Sequence, residues 1–147
     1  REAAVNALGA FASGVSGTAA LEALVPQLCH SDDFVRTAAV AALAAIANAG
    51  HSSAVGGEAM KQLSADRPEV RTAAAEVLSN LGAAGAAPAG FLEALFPRLK
   101  DTHPAVRYAT LKALRKLAAR GDGAVVLAVA DCMQRDSEQG IRQAAAV

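Results

Sequence analysis

An internal repeat of about 35 residues, each copy headed by an arginine, is the feature that most constrains the fold. The arginines are Arg1, Arg36, Arg71, Arg107 and Arg142, and they are separated by 35, 35, 36 and 35 residues. They head the segments "REAAVNALGAF", "RTAAVAALAAI", "RTAAAEVLSNL", "RYATLKALRKL" and "RQAAAV". A period of this length is typical of solenoids, in which each unit buries its apolar face against the next unit.

Columns of matching residues predict a helix, called helix B, after each arginine. A small residue stands two places after the arginine, a leucine seven places after it and a large apolar residue ten places after it. Offsets of seven and ten fall on one face of an α-helix. Gly50, Gly85 and Gly121 each stand 14 residues after their arginine and predict the end of helix B, because glycine readily adopts the left-handed conformation that closes a helix.

Residues that favour helix N-termini stand five places before four of the arginines: Ser31, Asp66, Thr102 and Ser137. We expect them to cap helix B, and Asp66 with Glu69 resembles a capping box. Pro68 and Pro104 share a column in the first turn, where proline costs no hydrogen bond.

Apolar segments between the glycine and the next cap predict a shorter helix A, with a tolerated kink at Pro26 and Pro97. The chain is 53% hydrophobic but only 3% aromatic, with no tryptophan, a composition that favours closely packed helices. These patterns predict an all-α, single-domain array over residues 1–147. We expect helix B of a truncated repeat at 1–15 and further repeats at about 16–50, 51–86, 87–122 and 123–147, the last incomplete.

The stretch "LFPRLKDTHPAVRYATLKAL" carries a proline in helix A, an aspartate in the turn and Val-Arg followed by an Ala-Leu pattern in helix B. It resembles a HEAT repeat, and the style of "DRPEVRTAAAEVL" is similar to the short HEAT-like repeats of the phycobilisome-lyase type. The resemblance implies a right-handed superhelix of antiparallel helix pairs whose B helices line the concave side. It also implies a scaffold or adaptor that binds proteins within a larger assembly, and the chain is expected to be part of a longer solenoid.

The recurring arginines admit a structural and a ligand-binding interpretation. Recurrence at a fixed offset favours structure, because a ligand would rarely need the same group in every repeat. We therefore expect a ladder between repeats that joins arginines with turn carbonyls or turn acids: Arg36, Arg71, Arg107 and Arg142 with Asp33, Asp66, Asp101 and Asp136.

A basic cluster departs from the zero net charge of the chain: residues 98–120 hold seven basic residues and one acid, a balance of +6. A solvated face explains such a cluster simply, and a patch for an acidic protein segment or a nucleic-acid backbone is the alternative. The offsets predict a concave face for partner binding that consists of Ala41, Ala45, Glu76, Asn80, Tyr108, Lys112, Arg115 and Lys116.

No catalytic, cofactor or metal site is predicted. Cys29 and Cys132 read as core residues three repeats apart, and the histidines do not pair with other ligands at metal-binding spacing. The Arg-Gly-Asp sequence at residues 120–122 is explained by the helix stop at Gly121. We therefore expect a protein that is not an enzyme and has no small-molecule substrate.

An assembly factor like the HEAT-type phycobilin lyases and a binder of nucleic-acid backbone remain as alternatives, although a neutral chain is a poor general ligand for nucleic acid. The longest apolar run, Ala38–Ala49, is shorter than the roughly 20 residues of a membrane span. The sequence predicts a soluble, intracellular protein and does not indicate its compartment.

Overall fold

The computed structural model describes residues 17–118 and 123–146, and these residues are helical apart from short turns. The predicted helix at 1–15, with Arg1, and the predicted stop at Gly121 lie outside the described residues. The elements in chain order are α1 (Gly17–Leu24), a 3-10 segment (Val25–Cys29), α2 (Asp33–Ile46), a π segment (Ala47–His51), α3 (Ser52–Gln62), α4 (Pro68–Ala83), α5 (Phe91–Leu95), a second 3-10 segment (Phe96–Lys100), α6 (Pro104–Ala118), α7 (Gly123–Arg135) and α8 (Gln139–Ala146).

The helices pair in sequence order, with α1, α3, α5 and α7 in the place of helix A and α2, α4, α6 and α8 in the place of helix B. Each B helix packs against the next B helix, most extensively α4 against α6 among the described elements. On the other side, α3 packs against both α1 and α5. The prediction of an all-α superhelix built from helix pairs is confirmed.

The repeat columns form the core. Leucines seven places after the arginine are at most 3% exposed, and the small residues two places after it are at most 9% exposed (Leu43, Leu78 and Leu114; Ala38, Ala73 and Ala109). One cluster of buried residues runs from α1 to α7, and a second, smaller cluster at the C-terminal end joins Leu111 and Cys132 to Ile141 and Ala145. Burial of these columns against the neighbouring repeat provides the main stabilisation.

Each predicted helix start lies one residue too early. Asp32, not Ser31, caps α2, because its Oδ1 accepts a hydrogen bond from the Phe34 amide at 2.9 Å. The N-cap of α4 is Arg67, which makes no side-chain cap bond, so the capping box predicted from Asp66 is also wrong. The physical reason is the proline: Pro68 and Pro104 are the first residues of α4 and α6, so the cap position falls directly before each proline.

The predicted helix ends at Gly50 and Gly85 coincide with left-handed backbone, at φ of 105° and 73°. Asp33–Gln62 is, by length and composition alone, long and apolar enough to cross a membrane, and 44% of its apolar window is buried inside the protein. Gly50 divides this run, so that α2 itself contains only 14 residues. Pro26 and Pro97 each fall one residue after helix A changes from α to 3-10 geometry.

Candidate functional site

Turn carbonyls bind every arginine of the ladder that the structure describes. In each repeat Nη1 donates to the carbonyls six and five residues earlier, and Arg71, for example, donates to Ala65 at 2.9 Å and to Asp66 at 2.8 Å. Arg36, Arg107 and Arg142 repeat the pattern. One edge of the guanidinium therefore fixes the turn of its own repeat.

The other edge of two guanidiniums reaches the next repeat. Nε and Nη2 of Arg71 donate to both carboxylate oxygens of Asp101 at 2.8 Å. Arg107 binds Asp136 in the same way, at 2.9 and 3.1 Å. The aspartate side chains are only 3% and 4% exposed. These bidentate pairs join α4 to the turn before α6, and α6 to the turn before α8.

Hydrogen bonds keep the two buried aspartates ionised. Burial alone would raise the pKa of Asp101, but Arg71 and the His103 amide donate to its carboxylate, and the pKa is lowered as a result. The pKa of Asp136 is lowered for the same reasons, against the effect of burial, by Arg107 and the Glu138 amide. Both carboxylates are therefore structural acceptors, with no proton to give near neutral pH.

Asp66 does not take the place in the ladder that the sequence predicted. The residue six before each arginine carries the carboxylate in the later repeats, and in this repeat that residue is Ala65. Asp66 contributes only its backbone carbonyl to Arg71. Arg36 instead pairs at 2.8 Å with Asp33 of its own repeat, whose side chain is 86% exposed. The junction between α2 and α4 thus lacks the buried pair of the two later junctions.

A groove lies between α4 and α6 on the B-helix side of the array. Residues one, five and nine places after each arginine form its walls: Thr72, Glu76 and Asn80 on α4, and Tyr108, Lys112 and Lys116 on α6. The groove has a volume of about 380 Å³. Val40, Ala105 and Ala109 add apolar surface to the lining, and the buried Ser79 adds a hydroxyl group. This feature, called the central groove below, contains five of the eight residues predicted to bind a partner.

The charges in the central groove are separated between its two walls. The Nζ atom of Lys112 lies 6.0 Å from the centroid of the Tyr108 ring, within the range of a cation–π contact, and Tyr108 is 44% exposed. On the facing wall Glu76 is exposed to solvent, but partial desolvation by the groove raises its pKa, an effect that Lys112 and Lys116 oppose and Asp33 increases. Glu76 also lines a smaller groove of about 280 Å³ that it shares with α2.

Arg115 does not line the central groove, although it lies on the same helix as Lys112 and Lys116. Its Nη1 donates to the Ala144 carbonyl in α8 at 2.8 Å. The reason is helical geometry: around the helix, Lys112 and Lys116 lie about 40° and about 80° from Tyr108, whereas Arg115 lies about 20° to the other side. Ala41 and Ala45 are exposed on α2, and neither lines the central groove.

A larger cavity on the helix A side was missed by the sequence analysis. It has a volume of about 980 Å³ and lies between the second 3-10 segment and α7. Phe96, Leu99, Ala128 and Cys132 supply apolar lining, and charged residues such as Lys100 and Arg135 also border it.

The described residues contain neither a metal-binding group nor a reactive cysteine. Within 17–118 and 123–146, no group of three or more His, Cys, Asp or Glu side chains is placed to hold a metal ion. Cys29 and Cys132 are free cysteines that pack in or against the core. Burial, with help from nearby acids, raises the pKa of the Cys132 thiol, which keeps it protonated and unreactive.

The comparisons with known proteins agree with this geometry. The family model for HEAT repeats matches residues 57–147, which is more than half of the chain. The protein belongs to the HEAT-repeat family. No curated protein sequence gives a significant match.

Two solved structures share the fold over almost the whole chain. The complex of CpcE and CpcF of phycocyanin lyase from Nostoc sp. PCC7120 is 25% identical, with a TM-score of 0.62, and the match covers 99% of this chain and 98% of that chain. An engineered protein from the Northeast Structural Genomics Consortium is also 25% identical, with a TM-score of 0.59, and the match covers 97% of this chain and 68% of that one.

Proposed function

We propose that the protein is a non-catalytic segment of a protein-interaction scaffold, and that it holds a protein partner on the concave face formed by its B helices. The observation that carries this proposal is the central groove, where Lys112 and Lys116 stand exposed. Among the described residues, the ion pairs include neither lysine. Exposed ammonium groups outside any ion pair can bind an external anion without breaking a salt bridge within the protein.

The proposal of a protein without catalysis rests on the use of its charged residues. The buried carboxylates, Asp101 and Asp136, are engaged by arginines, and their lowered pKa values remove them as general acids. The charged residues in the central groove are Glu76 and two lysines, with no nucleophile activated by a neighbouring base. We infer a soluble protein whose partners are proteins in a larger assembly, with nucleic acid as a less suitable ligand for a chain of zero net charge.

The likeness to the CpcE–CpcF complex favours a second candidate. That structure is a complex of two proteins of a phycocyanin lyase. The match extends over nearly all of this chain and nearly all of the matched chain of the complex. An assembly factor related to such lyases would also bind a protein on its solenoid surface. It would differ from a simple scaffold by carrying a pigment.

Photo-cross-linking tests the scaffold proposal directly. A photo-reactive amino acid replaces Asn80 in the central groove, and the matched control replaces Leu127, which is 73% exposed on α7. We expect discrete protein adducts in extracts of the native cells from position 80 and not from position 127. Equal adduct yields at both positions would refute partner binding on the concave face. Visible absorbance of the co-purified material would favour the lyase-like candidate, and co-purified nucleic acid would favour a backbone binder.

A further inference from the structure

We propose that the central groove binds an α-helical segment of the partner that presents two carboxylates, one helical turn apart, to Lys112 and Lys116 and a basic side chain to Glu76. This inference rests on the proposed function and names the chemistry of the partner. It is carried by two features of the groove: the spacing of its lysines and the charge of the opposite wall.

The spacing of the lysines matches the spacing of side chains on a second helix. Lys112 and Lys116 are four residues apart on α6, and both line the groove. Residues four apart are neighbours on a helix surface, about 6 Å apart along the axis. A partner helix that runs alongside α6 therefore meets both ammonium groups with acids at its positions i and i+4.

The lining of the groove offers side-chain contacts to a partner helix. Seven of the ten lining residues have hydrogen-bonding side chains: Thr72, Glu76, Ser79, Asn80, Tyr108, Lys112 and Lys116. The Thr72 hydroxyl already donates to the Pro68 carbonyl at 2.8 Å. A helix satisfies its own backbone, so it needs only side-chain contacts. The cavity accepts side chains, and the helix lies over it.

The α4 wall of the groove determines the basic side chain that we assign to the partner. Glu76 is exposed on α4 and lines the same groove as Lys112 and Lys116. A cation from the partner can form an ion pair with this carboxylate. On the partner helix, position i+3 lies about 60° to about 100° around from the two acids, so a lysine there reaches the α4 wall.

Three probes distinguish the possible ligands in fluorescence anisotropy titrations at low salt, where exposed charges are least screened. The first is an alanine-rich helical peptide with Glu at i and i+4 and Lys at i+3. The second carries the inverse charges, with Lys at i and i+4 and Glu at i+3. The third is a single-stranded oligothymidylate. We expect the first peptide to bind most tightly, and tighter binding of either other probe would overturn the proposal.

Charge reversal locates the binding. The variant Lys112→Glu with Lys116→Glu is expected to bind the first peptide about tenfold more weakly, as the loss of two exposed ion pairs predicts. The matched control is Lys61→Glu with Lys100→Glu, which makes the same change of net charge on exposed helix A residues and is expected to bind normally. Circular dichroism confirms that both variants fold. Equal affinities of the two variants would refute the groove as the binding site.

The two proposals fail in different ways. If cross-linking at position 80 captures a protein, but reversal of Lys112 and Lys116 leaves its binding unchanged, the concave face binds a partner of other chemistry. If no protein is captured while the acidic peptide still shows lysine-dependent binding, the groove has the proposed chemistry and the scaffold proposal is wrong.

Discussion

Two adjacent glycines in α3, Gly56 and Gly57, should respond to alanine in opposite ways. A β-carbon at position 56 would lie 2.5 Å from Cδ and 2.8 Å from Cγ of Pro88, in the loop that precedes α5. A β-carbon at position 57 would meet nothing within 4 Å. The same chemical change therefore tests helix propensity at one site and packing between repeats at the other.

The magnitudes follow from two opposing terms. Alanine is favoured over glycine within a helix by about 1 kcal/mol, so Gly57→Ala should stabilise the protein by about that amount. At Gly56 the same gain is offset by overpacking against a proline ring that cannot rotate away, a cost of about 1–3 kcal/mol. We expect Gly56→Ala to be less stable than Gly57→Ala by about 1–3 kcal/mol.

Thermal melts followed by far-ultraviolet circular dichroism measure the difference. For a chain of this size 1 kcal/mol corresponds to about 3 °C, so the melting temperatures of the two variants should differ by about 3–9 °C. A denaturant titration provides an independent free energy of unfolding. We expect Gly56→Ala to melt below Gly57→Ala. Equal melting temperatures would refute the close approach of α3 to Pro88.

The ladder and the groove give three further predictions. Arg71→Ala should lower the free energy of unfolding by about 3 kcal/mol, because the buried Asp101 loses its bidentate partner and keeps only the longer ion pair with Arg98 at 3.6 Å and the His103 amide. A chemical melt with unchanged stability would contradict this. The pKa values of Asp101 and Asp136 are lowered in the folded protein, so both carboxylates stabilise it above their unfolded pKa of 3.8. This stabilisation is lost as the pH falls through the folded pKa values. Thermal melts across this acid range should show the loss, and the loss should be smaller in Asp101→Asn. The pKa of Glu76 is raised in the folded protein, so its contribution to stability is full below its unfolded pKa of 4.5 and is lost as the pH rises through the folded value. Glu76→Gln should therefore melt no lower than the parent protein at neutral pH. A lower melting temperature of the variant would show that the ionised carboxylate is stabilising.

The repeat made most of the fold predictable. Columns at fixed offsets place the same side chain in the same environment several times, so Leu43, Leu78 and Leu114 could be assigned to the core from sequence. The helix starts were less predictable, because several polar residues near each turn can serve as caps. The prolines decided among them, since Pro68 and Pro104 each became the first residue of a helix.

The kind of contact that the arginines make could be predicted from the sequence, but the aspartate with which each one pairs was harder to predict. Recurrence correctly indicated arginine contacts with turns, but Arg36 lies 30 residues before Asp66, the same separation as between Arg71 and Asp101. The second pair forms and the first does not, because one repeat contains an extra residue and the separation alone does not fix the register. Packing between repeats, such as Gly56 against Pro88, involves residues far apart in the sequence and follows no column.

The absent aspartate at position 65 makes the stiffness of the solenoid uneven along its length. Buried arginine–aspartate pairs clamp α4 to the turn before α6, and α6 to the turn before α8. At the junction of α2 with α4, the guanidinium of Arg67 binds the backbone carbonyl of Cys29 in the preceding repeat, and its ion pair is with Glu69 of its own repeat. Bending strain should therefore concentrate between α2 and α4. A partner that pulls on the array would open the curvature at this junction first, while the spacing between the walls of the central groove stays fixed.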